Sequence, residues 1–396
     1  MQDKTRCEVI MAARGELRGN ITRTIENVNK TKGEHDKLTV ILDGEEENLK
    51  LLDLKKAKIV VPWKNEHRGC GACRHYGIEK SKAEYVALID AHMDFPLGWI
   101  DRAVEHLKEE KKDIICFHMK SLYHDWKEMN PFKDFSGCRI WFKTVEDGDA
   151  GRRYWALSGK WFDTPQSEGE IPCIMGACYV MRKDWYEKIG KPLSILRGWG
   201  QDEELLSLAS WLCGGRCWLM PLPACMHIYA APHTRAVQYG ADDERLALAN
   251  RYAAVQVLPI SDEIKQDLYA WLDKNILRRS EIDKILAPRM SKIEALRKHL
   301  EKPKRAWKEL EELKFFRQGA ETGKVKVNLA LTQKFTKSQP PQPPQVVIRH
   351  IEVCKRCGAH NSFRQFEGMK NFGAFYQAYS RCMKCGRRAL IRKVQG

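Results

Sequence analysis

Residues 87–95 read ALIDAHMDF. An apolar run, EYVALIDAH (84–92), predicts a buried strand that turns polar at its end. Side chains two apart on a strand share a face. Asp90 and His92 are therefore expected side by side at the strand's carboxyl edge. A carboxylate and an imidazole suit a divalent cation, but two ligands are too few. A third must come from elsewhere in the chain.

Working outward, the first half alternates strands and helices. CEVIMAA (7–13), KLTVILDG (37–44) and KIVVPW (58–63) read as three more strands. NITRTIENVNK (20–30) places Ile21, Ile25 and Val28 at helical spacing, with Asn20 as its N-cap. GACRHYGIEKSK (71–82) reads as a second helix. Such alternation predicts an α/β fold, a mostly parallel sheet covered by helices. Ligands of these sheets bind beyond the strands' carboxyl ends. Asp43 and the Asp90/His92 pair both fall there. Further on, DIICFHMK (113–120) reads as a strand and IPCIMGACYVMRKDWYEKIG (171–190) as strand then helix. RGWGQDEELLSLASWLCGG (197–215) starts as a glycine-rich loop and enters a helix stopped by Gly214-Gly215. RCWLMPLPACMHIY (216–229) is extended and carries His227.

The chain has 396 residues, room for two or three domains, and is 43% hydrophobic. No apolar run is long enough for a membrane span, and the first residues lack the pattern of a signal peptide. A cytoplasmic protein is expected. Its 14 cysteines then read as thiols or metal ligands. Cys70, Cys73, Cys213 and Cys217 read as structural thiols. The net charge of +16 is unevenly placed. Residues 281–396 hold 26 Lys+Arg against 10 Asp+Glu, so the rest of the chain is neutral. A basic C-terminal part suits a nucleic-acid-binding appendage or a solubilising tail.

Residues 260–318 are helical in pattern and heavily charged, with Pro303 interrupting, and KFTKSQPPQPPQ (334–345) reads as a semi-rigid linker. Beyond it stand Cys354-x2-Cys357 and Cys382-x2-Cys385, each pair followed by glycine. Four thiolates in two knuckles suit tetrahedral Zn2+, and a module of about 50 residues needs such a staple. The spacing resembles a zinc ribbon. Aromatics and basic residues interleave there (Phe363, Arg364, Phe366, Lys370, Tyr376, Tyr379), which suits phosphate contact and base stacking as well as a small core. Four parts are expected: a catalytic domain over 1–240, a charged helical region over 241–333, the linker over 334–345 and the zinc module over 346–396.

IDAHMDFPLGWIDRAVEHL resembles the metal-motif region of GT-A nucleotide-sugar glycosyltransferases, a Rossmann-like fold. It is most similar to polypeptide N-acetylgalactosaminyltransferases, which use Asp-x-His. IMGACYVMRKDWYEKIGKPLSILRGWGQDEELLSLASWLCGG resembles that family's acceptor-side block, and MHIY its strand bearing the third metal ligand. The likeness covers about residues 5–235. It implies a metal triad of Asp90, His92 and His227 holding Mn2+ (or Mg2+), with a nucleotide-sugar donor, UDP-linked, completing the shell. It also implies that Ala12, Arg14 and Glu16 flank the nucleoside, that Asp43 bonds uracil or ribose, and that Arg74 lies near base and diphosphate. Gly176 and Ala177 would leave room for the sugar, Trp199 would sit in the acceptor-side loop, and His233 and Arg235 would touch the diphosphate. Asp202 and Glu203 are the catalytic candidates, one of them taking the acceptor proton in inverting relatives. The similar family is retaining, so the acting acid and the stereochemistry stay open.

The acceptor is read from the appendage. A sugar transferase with a nucleic-acid-type module suggests DNA, since viruses of bacteria glycosylate hydroxymethylated pyrimidines. 5-Hydroxymethylcytosine or a related base is the leading expectation, in a bacteriophage enzyme acting inside its host. A protein or cell-surface glycan acceptor, with the zinc ribbon binding a partner, is the second. A non-catalytic nucleic-acid-binding protein on a transferase scaffold is the third.

Overall fold

The computed structural model describes residues 5–16, 18–44, 57–129, 135–141, 145–146, 153–154, 157–162, 166–229, 241–263, 265–266, 269–270, 279–306, 368–371, 375–381 and 388–395. The chain divides into two compact units, Met1–Gly323 and Lys324–Gly396.

In the first unit the strands are β1 (Cys7–Ala13), β2 (Lys37–Leu42), β3 (Lys58–Val60), β4 (Tyr85–Ile89), β5 (Met93–Asp94) and β6 (Asp113–Leu122). Then come β7 (Cys138–Trp141), β8 (Val145–Glu146), β9 (Arg153–Tyr154), β10 (Ser158–Trp161), β11 (Gly169–Ile171), β12 (Cys178–Arg182) and β13 (Arg216–Ile228). The helices are α1 (Arg18–Thr31), α2 (Cys70–Lys80), α3 (Trp99–Glu109), α4 (Lys183–Lys188), α5 (Asp202–Leu212), α6 (Ala241–Val257), α7 (Arg279–Leu286) and α8 (Met290–Leu300).

One large sheet runs β11-β13-β6-β12-β4-β1-β2-β3, with β5 paired to β13. Strands β3, β2, β1, β4, β6 and β13 run in one direction, while β12 lies antiparallel between β4 and β6. This is a GT-A-like α/β fold with a mostly parallel, mixed sheet. Every residue of β4 is buried, as a continuous apolar run at a sheet's centre requires. Helix α1 buries Ile21, Ile25 and Val28, the stripe its spacing predicts. It starts at Arg18, so Asn20 lies inside the helix and is not its cap. The third strand stops at Val60, before Pro62, whose nitrogen has no proton for a ladder.

Two sequence expectations change in a way that matters for the site. β4 ends at Ile89, so Asp90 and His92 sit in the link to β5 and not on one strand face. Their proximity comes from pairing instead. β5 runs against β13 with His227 opposite Met93, and the Ile228 amide donates to the His92 carbonyl at 3.1 Å. The charged helical region is also no free-standing element in this unit. Leu248, Tyr252, Ile282, Ile293 and Leu300 belong to the same buried core as β1 and β4. Among the described residues of the expected helical pattern, α7 and α8 are joined by a 3-10 turn at Ala287–Arg289.

The second unit, taken by itself, contains a three-stranded antiparallel sheet: β14 (Gly368–Asn371), β15 (Phe375–Arg381) and β16 (Arg388–Gln395). Cys354, Cys357, Cys382 and Cys385 lie outside the described residues.

Gly69, at φ +87°, packs against the backbone of Gly198, and a Cβ there would fall inside the Gly198 carbonyl. Gly69→Ala should therefore destabilise the fold by about 2 kcal/mol or more. Urea unfolding measures this, and a change under roughly 0.5 kcal/mol would show that the two backbones yield.

Candidate active site

The carboxyl ends of β1, β2 and β4 open on one cleft of about 100 Å³. Ala12, Arg14, Glu16, Asp43, Arg74, Asp90, His92, Trp199, Asp202 and Glu203 all line it. Sequence reading is thus gathered into one place for ten residues. His233 and Arg235 lie outside the described residues.

Asp90, His92 and His227 each offer one ligand atom within 4.8 Å of the others. Both histidines are buried, with ring centroids 4.7 Å apart. The Asp90 carboxylate divides its work. Its Oδ1 accepts from Arg74 at 2.7 Å, while Oδ2 faces His227 Nε2 at 3.4 Å. Burial alone would raise its pKa, but the hydrogen bond from His227 and the Arg74 charge hold it well below the usual carboxylate range. An ionised carboxylate beside two imidazoles is a donor set that fits Mn2+ or a similar divalent ion.

Arg74 is the hub. It is 1% exposed and comes from α2. Besides Asp90 it donates to Asp202 and to the Tyr179 hydroxyl at 2.6 Å, with Glu203 at 3.6 Å. Tyr179 was not legible as a site residue, because it reads as one more apolar position of β12. Its only signal is spatial, across 105 residues of chain.

Several implied roles shift. Both Asp43 oxygens accept backbone amides, Arg68 at 2.7 Å and Gly69 at 2.9 Å. Asp43 thus fixes the entry to α2 at the cleft wall, and its carboxylate is already engaged by protein. Glu16 reaches His92 Nδ1 at 3.1 Å, orienting a metal-site imidazole and not flanking a nucleoside alone. Gly176 makes room for a carboxylate of the protein: a Cβ there would collide with Glu203 Oε1. The Ala177 carbonyl accepts from the Asp90 amide at 3.0 Å, which ties β12 to the metal link.

The two acids of α5 differ. Asp202 is 4% exposed and locked to Arg74. Glu203 keeps 21% of its side chain exposed. Burial, then the Asp202 charge, pushes the Glu203 carboxyl well above its ordinary range. Glu204, unnoticed in the sequence, is tied to the Gly159 amide at 2.7 Å. Beside His227 lie Tyr229, Phe135 and Trp161, with the Tyr229 ring 4.4 Å from the imidazole.

Residues 8–190 match the model of Glycosyl transferase family 2. That stretch is similar to nucleotide-sugar glycosyltransferase domains of this type. Human polypeptide N-acetylgalactosaminyltransferase 13 is 24% identical over 247 residues, 57% of this chain and 42% of the relative. Human polypeptide N-acetylgalactosaminyltransferase 18 is 26% identical over 242 residues, 60% of this chain and 36% of the relative. The chain thus spans less than half the length of either. Among solved structures, GalNAc-T7 with UDP, GalNAc and Mn2+ superimposes with a TM-score of 0.53 at 17% identity. That match covers 72% of this chain and 55% of the other, and it is a likeness of fold. The family 2 match ends at residue 190, so α5, His227 and the helices after them lie beyond it.

Two outcomes are expected. Arg74→Met strands the buried Asp202 carboxylate and the half-buried Asp90, so it should cost about 3–5 kcal/mol in urea unfolding; a loss below roughly 1 kcal/mol would mean the acids find other partners. Glu203 carries the pH dependence. Its folded pKa lies above its ordinary 4.5, so its share of stability is complete below about pH 4.5 and is lost as pH rises through the folded value. Glu203→Gln should raise the melting temperature more at pH 8 than at pH 5, and an equal change at both would contradict the shift.

Proposed function

We propose that this chain is a metal-dependent glycosyltransferase that moves a sugar from a UDP-linked donor to a hydroxyl. The observation that carries this reading is the Asp90, His92 and His227 cluster at the edge of the cleft on the sheet's carboxyl side. These three residues would hold Mn2+, or Mg2+, which when bound offsets charge on the departing diphosphate. Arg74 and Glu16 hold Asp90 and His92 in place from behind. Ala12, Arg14, Trp199 and the Asp43-braced turn bound the space for the nucleotide.

In the reaction the acceptor oxygen bonds to the anomeric carbon, and the bond from that carbon to the diphosphate breaks. The hydroxyl proton needs a base. Asp202 is committed to Arg74, whereas Glu203 is open to the cleft and raised in pKa, the direction that makes it the stronger base. Glu203 is therefore assigned the proton if transfer inverts. His233 and Arg235 remain proposed diphosphate contacts. Cys354, Cys357, Cys382 and Cys385 are proposed to hold a structural Zn2+ in the C-terminal module.

For the acceptor we infer DNA, with 5-hydroxymethylcytosine or a related hydroxymethylated base as the hydroxyl source. Its support is the charge distribution: all of the excess positive charge lies in residues 281–396. The similar curated proteins favour a second reading, since their names specify polypeptide acceptors. No helix among the described residues is long and apolar enough to cross a membrane.

The test mixes the protein with Mn2+, a panel of nucleotide sugars, and DNA carrying hydroxymethylcytosine or plain cytosine, then weighs the digested nucleosides. A hexose or N-acetylhexosamine gain on the hydroxymethylated base alone is expected. UDP release without any gain on DNA would keep the transferase and remove DNA as acceptor. Asp90→Asn and His227→Ala should each weaken Mn2+ binding at least about tenfold, read by paramagnetic resonance. Unchanged binding would move the metal elsewhere.

A further inference from the structure

The loop Arg197–Gln201 is built from unusual backbone. Gly198, Gly200 and Gln201 have φ of +68°, +92° and +70°. This loop carries Trp199, 56% exposed at the cleft, and delivers Asp202 and Glu203 from the start of α5. Positive-φ backbone at three of five positions does not hold itself in a single shape. Something must impose it.

One side is imposed by the donor half, where the Gly198 amide donates to the Arg68 carbonyl at 2.9 Å. The other side is imposed by α6. Asn250 is 0% exposed there. Its amide nitrogen donates to the carbonyls of Arg197 at 2.6 Å and Gly200 at 3.1 Å, with the Trp199 carbonyl at 3.4 Å. Its oxygen accepts the Arg197 amide at 2.9 Å and Arg289 Nη1, also at 2.9 Å. Arg289, itself buried, donates from the same nitrogen to the Ile195 carbonyl at 2.7 Å. Leu246, one turn earlier on α6, fills the space that a Cβ on Gly198 would need.

We infer that Asn250 is a positioning residue for the transfer site. It acts through the Arg197–Gln201 loop, setting Trp199 against the cleft and aiming the α5 acids. Only a primary amide serves this place. It must give hydrogen bonds to a cluster of carbonyls and take them from an amide and a guanidinium at once. An aspartate of equal size would aim an acceptor at carbonyl oxygens, and an alanine would leave those buried groups unpaired. The helical region thereby becomes part of the transferase site, contributing no side chain to the cleft itself.

Two readouts separate this from mere packing. Amide hydrogen exchange needs no ligand. Asn250→Asp and Asn250→Ala should each speed exchange at Arg197 and Gly198 by roughly tenfold or more, with β1 and β2 unchanged. A void-filling role predicts instead that the isosteric Asp behaves like wild type, and that result overturns the assignment. Arg289→Met keeps Asn250 and removes one of its partners, so it supplies a milder variant should the others not fold. Its exchange should rise at the same loop amides, and wild-type exchange there would also overturn the assignment. The second readout is Trp199 fluorescence on adding UDP with Mn2+, isolated by subtraction of Trp199→Phe. It rests on the donor reading above. Asn250→Asp should shrink the Trp199 response and weaken UDP about tenfold, and a wild-type response would overturn the positioning role. Absence of UDP binding by the wild-type protein would overturn the donor reading instead, while exchange still decides the role of Asn250.

Discussion

A single buried cation orders this site. Arg74 is removed from water and would be prohibitive there without compensation. Its partners come from three places in the chain: Asp90 after β4, Tyr179 on β12 and Asp202 at the start of α5. Each partner therefore has its position defined by a charge that cannot move out to solvent. Asp90 is kept ionised by the same contact, which makes it a competent metal ligand. Asp202 is occupied by its contact with Arg74, which leaves Glu203 as the acid with room to act.

Around that cation the cleft is assembled by backbone geometry. Parallel strands bring Ala13, Asp43 and Asp90 to one edge. The antiparallel pairing of β5 with β13 adds His227 from 137 residues further along the chain. Glycines then permit approaches that side chains would block, at Gly69 against Gly198 and at Gly176 against Glu203. Much of what looks like space for substrate in a sequence motif is space for another part of the protein.

The sequence was most legible where local pattern and chemistry coincide. Apolar runs ending in Asp43 and Asp90 marked the cleft edge, and the glycine-rich stretch before Asp202 marked the loop into α5. Asp90, His92 and His227 do come together as the sequence grouped them, though Asp90 and His92 meet through a turn and not along a strand. What stayed hidden is what depends on distant partners. Nothing local to Asp43 shows that two amides will consume its carboxylate. Nothing in GACYV shows that Tyr179 will meet an arginine. Asn250 sits in a stretch whose composition reads as an ordinary helix, and its importance appears only when the loop it holds is folded against it.

The contact between Gly69 and Gly198 has a mechanical consequence. Gly69 opens α2, which carries Arg74, and Gly198 belongs to the loop that leads to the acids. With main chain resting on main chain, these two walls have no soft side chain between them to compress. Opening the cleft by swinging one wall would have to drag the other along. Entry and exit would then be governed by what rotates at the rim, where Trp199 stands, rather than by a hinge between halves. In such a molecule, turnover would be sensitive to the bulk of a single indole.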